Sequence, residues 1–210
     1  MSDILRQVDE DLRKDKLLKV WRSYRIYIIG FILTMLISLS SYQYYLSNER
    51  SKNEAIVEKY INTLNLNSNK TSVSLLTELE ESGNSYIKGL AKLKRVEIYF
   101  NMKEKSQALE LLLSISNDES LEKVIRDLAI YKYLMIQLDV LDKKSYFSII
   151  DAENLKESKF AYLLKELKAL KFLIEGDQVN SLELFQSIIS DENAPIDVKK
   201  RSEKFKEIIK

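Results

Sequence analysis

The feature that most constrains this chain is an uncharged apolar segment near its N-terminus. Residues 26–45 read IYIIGFILTMLISLSSYQYY and contain no Asp, Glu, Lys or Arg. A helix of that length spans about 30 Å, the hydrocarbon thickness of a bilayer. Aromatic side chains, which prefer the membrane interfaces, stand near both ends. They are Trp21, Tyr24, Tyr42, Tyr44 and Tyr45. The segment therefore predicts a single transmembrane helix at residues 26–45.

The distribution of Lys and Arg predicts how this helix is oriented. The first 25 residues hold seven of these cations, and the equal window at residues 46–70 holds four. The more basic flank of a span usually stays in the cytoplasm. We therefore expect a single-pass protein of the bacterial inner membrane, with residues 1–25 in the cytoplasm and residues 46–210 in the periplasm.

Two other interpretations of the apolar segment remain open. Ser38, Leu39 and Ser40 form a small-x-small pattern, which could be the cleavage site of a signal peptide. However, the preceding charged region is 25 residues long and contains five acids, which is unusual for a signal peptide. A buried core helix is the second alternative, but such a helix rarely remains uncharged on all faces for this length.

The N-terminal flank has the pattern of an amphipathic helix. Ile4, Leu5, Val8 and Leu12 recur at helical spacing within residues 1–25. The three consecutive acids at residues 9–11 fan over about 200° of a helix, so they do not converge on a metal ion. We expect a solvated cytoplasmic segment here.

Composition favours an all-α fold and excludes several kinds of site. The chain has only four Gly and one Pro, whereas sheet-rich folds need many turns. It has no Cys and no His, which excludes disulfides, thiolate nucleophiles and imidazole bases. The 33 basic and 32 acidic residues are interspersed, which argues against a nucleic-acid surface. We expect no catalytic, metal or cofactor site, and no small-molecule substrate.

Beyond the span, long and short helical patterns alternate. Residues 46–82 predict connecting helices with a linker at 65–70, and the regular pattern occupies residues 83–210. The predicted long helices are 84–102, 120–138 and 155–175; the short ones are 106–115, 145–150 and 181–189; the last helix is 196–209. The long helices recur about every 35 residues, close to the tetratricopeptide length of 34. This predicts an α-solenoid of helical hairpins with a C-terminal capping helix.

Two residues are predicted to mark helix ends in this array. Gly176 is expected to stop the third long helix, because glycine readily adopts the left-handed conformation that ends helices. Asn180, together with Glu183, is expected to cap the start of the short helix 181–189.

Several short segments carry a resemblance to a known family. In order and spacing with the anchor, the chain resembles proteobacterial membrane proteins with a tetratricopeptide-like domain, the family of YfgM-like ancillary subunits of the SecYEG translocon. The matching segments are residues 1–13, 18–24, 86–91, 108–112, 125–129 and 194–195. The resemblance implies a periplasmic domain at the translocon that assists secreted or envelope proteins in a chaperone-like way.

The tetratricopeptide pattern also suggests which residues would contact a partner. Tyr99 and Ala108 have the nine-residue spacing of the consensus, and Phe172, Gly176, Ser181 and Phe185 fit the third repeat. The second repeat lacks the small residue, so its register is undetermined. The partner-binding residues that the resemblance implies are Leu93, Glu97, Phe100 and Asn101 in the first repeat, and Glu166, Leu170 and Leu173 in the third.

Two classes of function remain open on the sequence. The first is a membrane-anchored module that binds translocon, secretory or envelope polypeptides. The second is a structural scaffold or a self-associating subunit of an envelope complex. An exposed apolar groove would favour the first class, and an apolar convex face would favour the second.

Overall fold

Helices account for the regular secondary structure of this protein. A computed structural model describes residues 2–66, 68–82, 84–152, 155 and 157–209, and these residues contain no strand. The chain divides into two compact units, Met1–Ala55 and Ile56–Lys210. The all-α prediction is confirmed. The predicted domain boundary at residue 83 lies outside the described residues.

The first unit is formed by most of helix α1 (Ser2–Leu64). It contains a segment that is long and apolar enough to cross a membrane, and none of its apolar window is buried. Ile26 and Phe31 are 74% and 70% exposed. A core helix would bury such side chains, so the core-helix interpretation is disfavoured. The Thr34 hydroxyl donates to the Gly30 carbonyl at 3.0 Å, which pairs this polar group within the helix.

The second unit contains the end of α1 and eight further helices among the described residues. These are α2 (Asn69–Ser82), α3 (Ser85–Asn101), α4 (Lys105–Asn117), α5 (Lys123–Ile136), α6 (Lys143–Ile150), α7 (Ala161–Ile174), α8 (Gln178–Ser190) and α9 (Ile196–Ile209). Helices adjacent in sequence pack together from α2 to α5 and from α6 to α9. In addition, α3 contacts α5, α5 contacts α7, and α7 contacts α9. The alternate helices thus form a second set of contacts along the chain.

Three pairs of consecutive helices start at the same interval from each other. Helices α4 and α5 begin 18 residues apart, at 105 and 123. The same interval separates α6 from α7, at 143 and 161, and α8 from α9, at 178 and 196. If α3/α4, α5/α6 and α7/α8 are taken as three consecutive pairs, α9 occupies the sequence position of the first helix of a fourth pair. The starts of α3, α5, α7 and α9 are 38, 38 and 35 residues apart, compared with the predicted period of about 35.

The predicted start of the third long helix is wrong. We expected a helix from residue 155, but α7 begins at Ala161; residue 156 lies outside the described residues. Leu155 instead lies in a 3-10 turn ahead of α7, where it is 2% exposed and belongs to the main hydrophobic cluster. The Ser158 hydroxyl accepts a hydrogen bond from the Phe160 amide at 3.1 Å. Serine commonly makes such local bonds just before a helix, and they compete with helical pairing.

Helices α3 and α7 end in the same conformation. The residues that follow their C-caps are Lys103, with φ 63°, and Gly176, with φ 79°. In each case the next amide donates back to a carbonyl of the last turn, at 2.9 Å and 2.8 Å respectively. This is the Schellman motif, which favours glycine at the left-handed position. The prediction that Gly176 stops its helix is confirmed.

The predicted cap of the following helix is one turn too late. Helix α8 begins at Gln178 rather than at residue 181, and its N-cap is Asp177. The Asp177 carboxylate accepts from the Asn180 amide at 3.3 Å and from the Asn180 side chain at 2.9 Å. Aspartate is as good a cap as asparagine, and it comes directly after the turn at Gly176, so it starts the helix first.

A buried lysine holds α7 against the connection between α5 and α6. Lys171 is 1% exposed, and its ammonium donates to the carbonyls of Leu138 at 3.1 Å and Leu141 at 2.6 Å. It also forms an ion pair with Glu175 at 2.8 Å. The loop between α5 and α6 is longer than the loops that follow α3 and α7, so some of its carbonyls lie outside any helix. The hydrogen bonds from Lys171 pair two of these carbonyls.

Helices α3 and α5 approach each other closely at a glycine. Gly89 is buried, and a Cβ placed on it would lie 2.7 Å from Cγ2 and 3.3 Å from Cβ of Ile125. The second atom is fixed to the backbone, so rotation of the side chain alone does not relieve the contact. The glycine therefore sets the distance between the two helices.

We expect Gly89→Ala to lower the free energy of unfolding by up to about 2 kcal/mol. Overpacking costs about 1–3 kcal/mol, which outweighs the gain of about 1 kcal/mol in helix propensity. Chemical denaturation of the full chain in detergent micelles measures the change. In an Ile125→Ala background the same substitution should become neutral or stabilising. Equal effects in both backgrounds would contradict the close approach.

Candidate functional site

An open groove lies on the second unit, between α3, α5 and the last turns of α1. Its volume is about 510 Å³, within the usual range of about 300–1,000 Å³ for ligand sites. The lining residues are Tyr60, Leu90, Leu93, Lys94, Val96, Glu97, Phe100, Asn101, Lys132, Met135 and Ile136. We refer to this surface as the α3/α5 groove.

The floor and walls of the α3/α5 groove are apolar. Val96 is 4% exposed and forms part of the main core, while Leu93, Phe100 and Ile136 pack against that core. Met135 is 47% exposed and faces solvent. Methionine is flexible and polarisable, and it is common on surfaces that accept varied apolar partners. The groove therefore offers apolar contact area on a firm base.

The polar groups of the groove are two lysines, one glutamate, one asparagine and one tyrosine. The Lys94 ammonium pairs with the Glu97 carboxylate at 2.8 Å. Within the described part of the chain, no carboxylate lies at ion-pair distance from Lys132. Burial raises the pKa of Tyr60, and the charge of Glu97 raises it further, so this hydroxyl stays protonated and able to donate.

The structure brings the first-repeat residues together. Leu93, Glu97, Phe100 and Asn101 all line the α3/α5 groove. The three predicted residues of the third repeat lie on α7, and none of them lines it. Leu170 packs against the main core, and Leu173 is partly buried.

The prediction that Glu166 lies on an open binding face is wrong. Glu166 is only 6% exposed, and both of its carboxylate oxygens accept hydrogen bonds from Arg201, at 2.8 Å and 2.7 Å. Helix α9 supplies this arginine, so the carboxylate holds the last helix against α7. The sequence pattern placed Glu166 correctly on the helix but gave no sign that α9 covers it.

Sequence reasoning missed the contribution of α5 to the groove. The α5 residues Lys132, Met135 and Ile136 follow Glu97, Phe100 and Asn101 by 35 residues each. This is the predicted helix period, so the signal was present. It was obscured because the connection after α5 covers residues 137–142, whereas those after α3 and α7 have three residues each, so the small consensus residue that would have fixed the second repeat was not found at its expected spacing. The extra residues shift the later register.

An ion-pair cluster fixes the other end of α3 against the start of α5. The Asp118 carboxylate accepts from Lys92 at 2.7 Å and lies 3.4 Å from the ammonium of Lys88. It also accepts from the Ser120 hydroxyl and amide, in the turn that leads into α5. These hydrogen bonds, that of Lys92 first, hold the pKa of Asp118 well below its usual range.

We expect Asp118→Asn to lower the free energy of unfolding by about 1 kcal/mol at pH 7. Because the pKa is depressed in the folded state, this stabilisation is present above the unfolded pKa of about 3.9 and is lost as the pH falls below it. The difference in the free energy of unfolding between wild type and variant should therefore be constant from pH 5 to pH 8 and should narrow below about pH 4.

Denaturation curves at several pH values test this expectation, with exposed Asp139→Asn as the control. A gap that widens on acidification would contradict the assigned role of Asp118.

Comparisons with known proteins find no relative of this chain. No family model, no curated protein and no solved structure matches the chain. The α3/α5 groove combines apolar contact area with one carboxylate, that of Glu97, which is paired with Lys94.

Proposed function

We propose that this chain is a single-pass inner-membrane protein whose tetratricopeptide-like domain binds polypeptide segments in the α3/α5 groove. The groove is the observation that carries the proposal, because it joins apolar walls to a few polar groups on an open surface. Polypeptide in transit exposes the apolar side chains that such a surface can cover transiently.

The contacts between helices support the proposal of a helical-hairpin array. Each of α3, α5 and α7 contacts the corresponding helix of the next pair, as expected where helix pairs stack into a solenoid. The constant 18-residue interval between the second helix of one pair and the first helix of the next agrees with a repeat. Helix α9 is the capping helix of the array, and its exposed face is mostly charged.

The cellular setting follows from the anchor and its flanks. The uncharged segment tethers the domain to the membrane, and the more basic N-terminal flank stays in the cytoplasm. The domain is then periplasmic, next to the point where secreted polypeptides emerge. Together with the resemblance to translocon-associated proteins, this favours a chaperone-like role at the Sec translocon.

A holdase assay tests the proposed activity. The full chain in lipid nanodiscs should slow the aggregation of a reduced, unfolded secretory protein, as measured by light scattering. Met135→Asp places an unpaired charge in the groove, and we expect it to reduce this protection at least about five-fold, the effect of about 1 kcal/mol.

Val140→Asp is the matched control, since Val140 is also an exposed apolar residue, at 61%, and does not line the groove. Equal protection by wild type and Met135→Asp would contradict the proposal. If the wild type shows no protection and self-associates in nanodiscs through another surface, the structural-scaffold alternative is favoured instead.

A further inference from the structure

We propose that the segment bound in the α3/α5 groove is an apolar peptide that carries an acidic side chain, and that this acid pairs with Lys132. The inference rests on the proposed function and specifies the chemistry of its partner. It follows from how the charges of the groove are already paired within the folded chain.

The charges of the groove do not balance. Lys94 and Glu97 neutralise each other at 2.8 Å, and the side chain of Lys94 is only 28% exposed. Lys132 is the one charge on the described lining residues that has no partner of opposite sign among the described residues. The remaining polar lining residues, Tyr60 and Asn101, are neutral, so the empty groove carries one net positive charge.

Lys132 is placed where a bound segment would remove water from its charge. It lies on α5 one turn before Met135 and Ile136, and the residue is already partly buried. An apolar segment seated on these side chains would remove water from the ammonium, which costs free energy unless the segment supplies an acceptor. A carboxylate supplies both an acceptor and the opposite charge, whereas a basic side chain would be repelled.

A second hollow adjoins the α3/α5 groove. Lys94 and Asn101 line a second, smaller hollow of about 100 Å³, together with Leu64 and Leu66, which are 40% and 42% exposed. A segment that crosses from Met135 to this hollow would meet apolar side chains at the α5 end and a mostly polar lining, which includes Thr63, Asn69 and Ser72, at the other. Its acidic residue would lie at the α5 end.

Peptide binding to the full chain in nanodiscs tests this inference by fluorescence anisotropy. Three labelled twelve-residue peptides share the same leucine- and phenylalanine-containing sequence and differ at one position, which is Glu, Gln or Lys. We expect the wild type to bind the Glu peptide about five-fold more tightly than the Gln peptide, and the Lys peptide most weakly.

Lys132→Glu should reverse this order, whereas Lys123→Glu, an exposed position on the same helix, should preserve it. If all three peptides bind the wild type equally and Met135→Asp weakens each of them, the acidic preference is overturned while the proposed function stands. If no peptide binds, or if binding is insensitive to Met135→Asp, both are overturned.

Discussion

Ala108→Trp is expected to unfold or loosen the hairpin of α3 and α4. Ala108 is fully buried on α4, inside the main cluster that also contains Val96 and Leu112. The indole needs volume that only a separation of the helices can supply. Overpacking of this size should cost about 3 kcal/mol or more, at the upper end of the usual range.

For a chain of this length, such a loss lowers the melting temperature by about 6–12 °C. Circular dichroism at 222 nm of the full chain in detergent micelles measures it. Gln107→Trp is the matched control, since Gln107 is the preceding residue on α4 and is exposed. Equal melting temperatures for the two variants would show that α4 does not pack through Ala108.

Glu166→Lys is expected to release helix α9 from α7. The substitution places a second cation beside Arg201, in a site where the Glu166 side chain is 8% exposed and its carboxylate accepts two hydrogen bonds. Removing one partner of a buried pair costs about 3–5 kcal/mol. Because the Arg201 side chain is 45% exposed and can turn toward water, we expect about 2–4 kcal/mol here.

Hydrogen exchange followed by mass spectrometry locates this effect. Amides of α9 should lose protection in Glu166→Lys, while those of α3 and α4 should keep it. The double variant Glu166→Arg with Arg201→Glu should recover part of the protection, and Glu183→Lys, an exposed position on α8, should leave it unchanged. Unaltered exchange in α9 would contradict the pairing.

The first-repeat part of the groove could be predicted from sequence because one helix determines it. Leu93, Glu97, Phe100 and Asn101 recur at helical spacing, so any helix over these residues places them on one side. The α5 side needed the register between two helices, which depends on the lengths of the intervening loops. Tyr60 precedes the repeats in sequence, and only tertiary packing brings it to the groove.

Burial by another element is the information that the sequence pattern lacked. Glu166 has the helical position of a groove residue, yet α9 covers it through Arg201. Likewise, Leu155 has the apolar character of an α-helix position but fills the core from a 3-10 turn ahead of α7. Periodicity describes a single helix face, whereas both outcomes depend on which neighbour packs against it.

Site-specific photocrosslinking in native membranes identifies the proteins that contact the α3/α5 groove. A photoreactive residue at Met135 or Phe100 lies in the α3/α5 groove, and one at Val179, which is 77% exposed on α8, lies outside its lining. We expect the groove positions to crosslink to secretory polypeptides or translocon subunits well above the Val179 control, and we expect Lys132→Glu to change this yield. Crosslinking at the control level from both groove positions would contradict the proposed function.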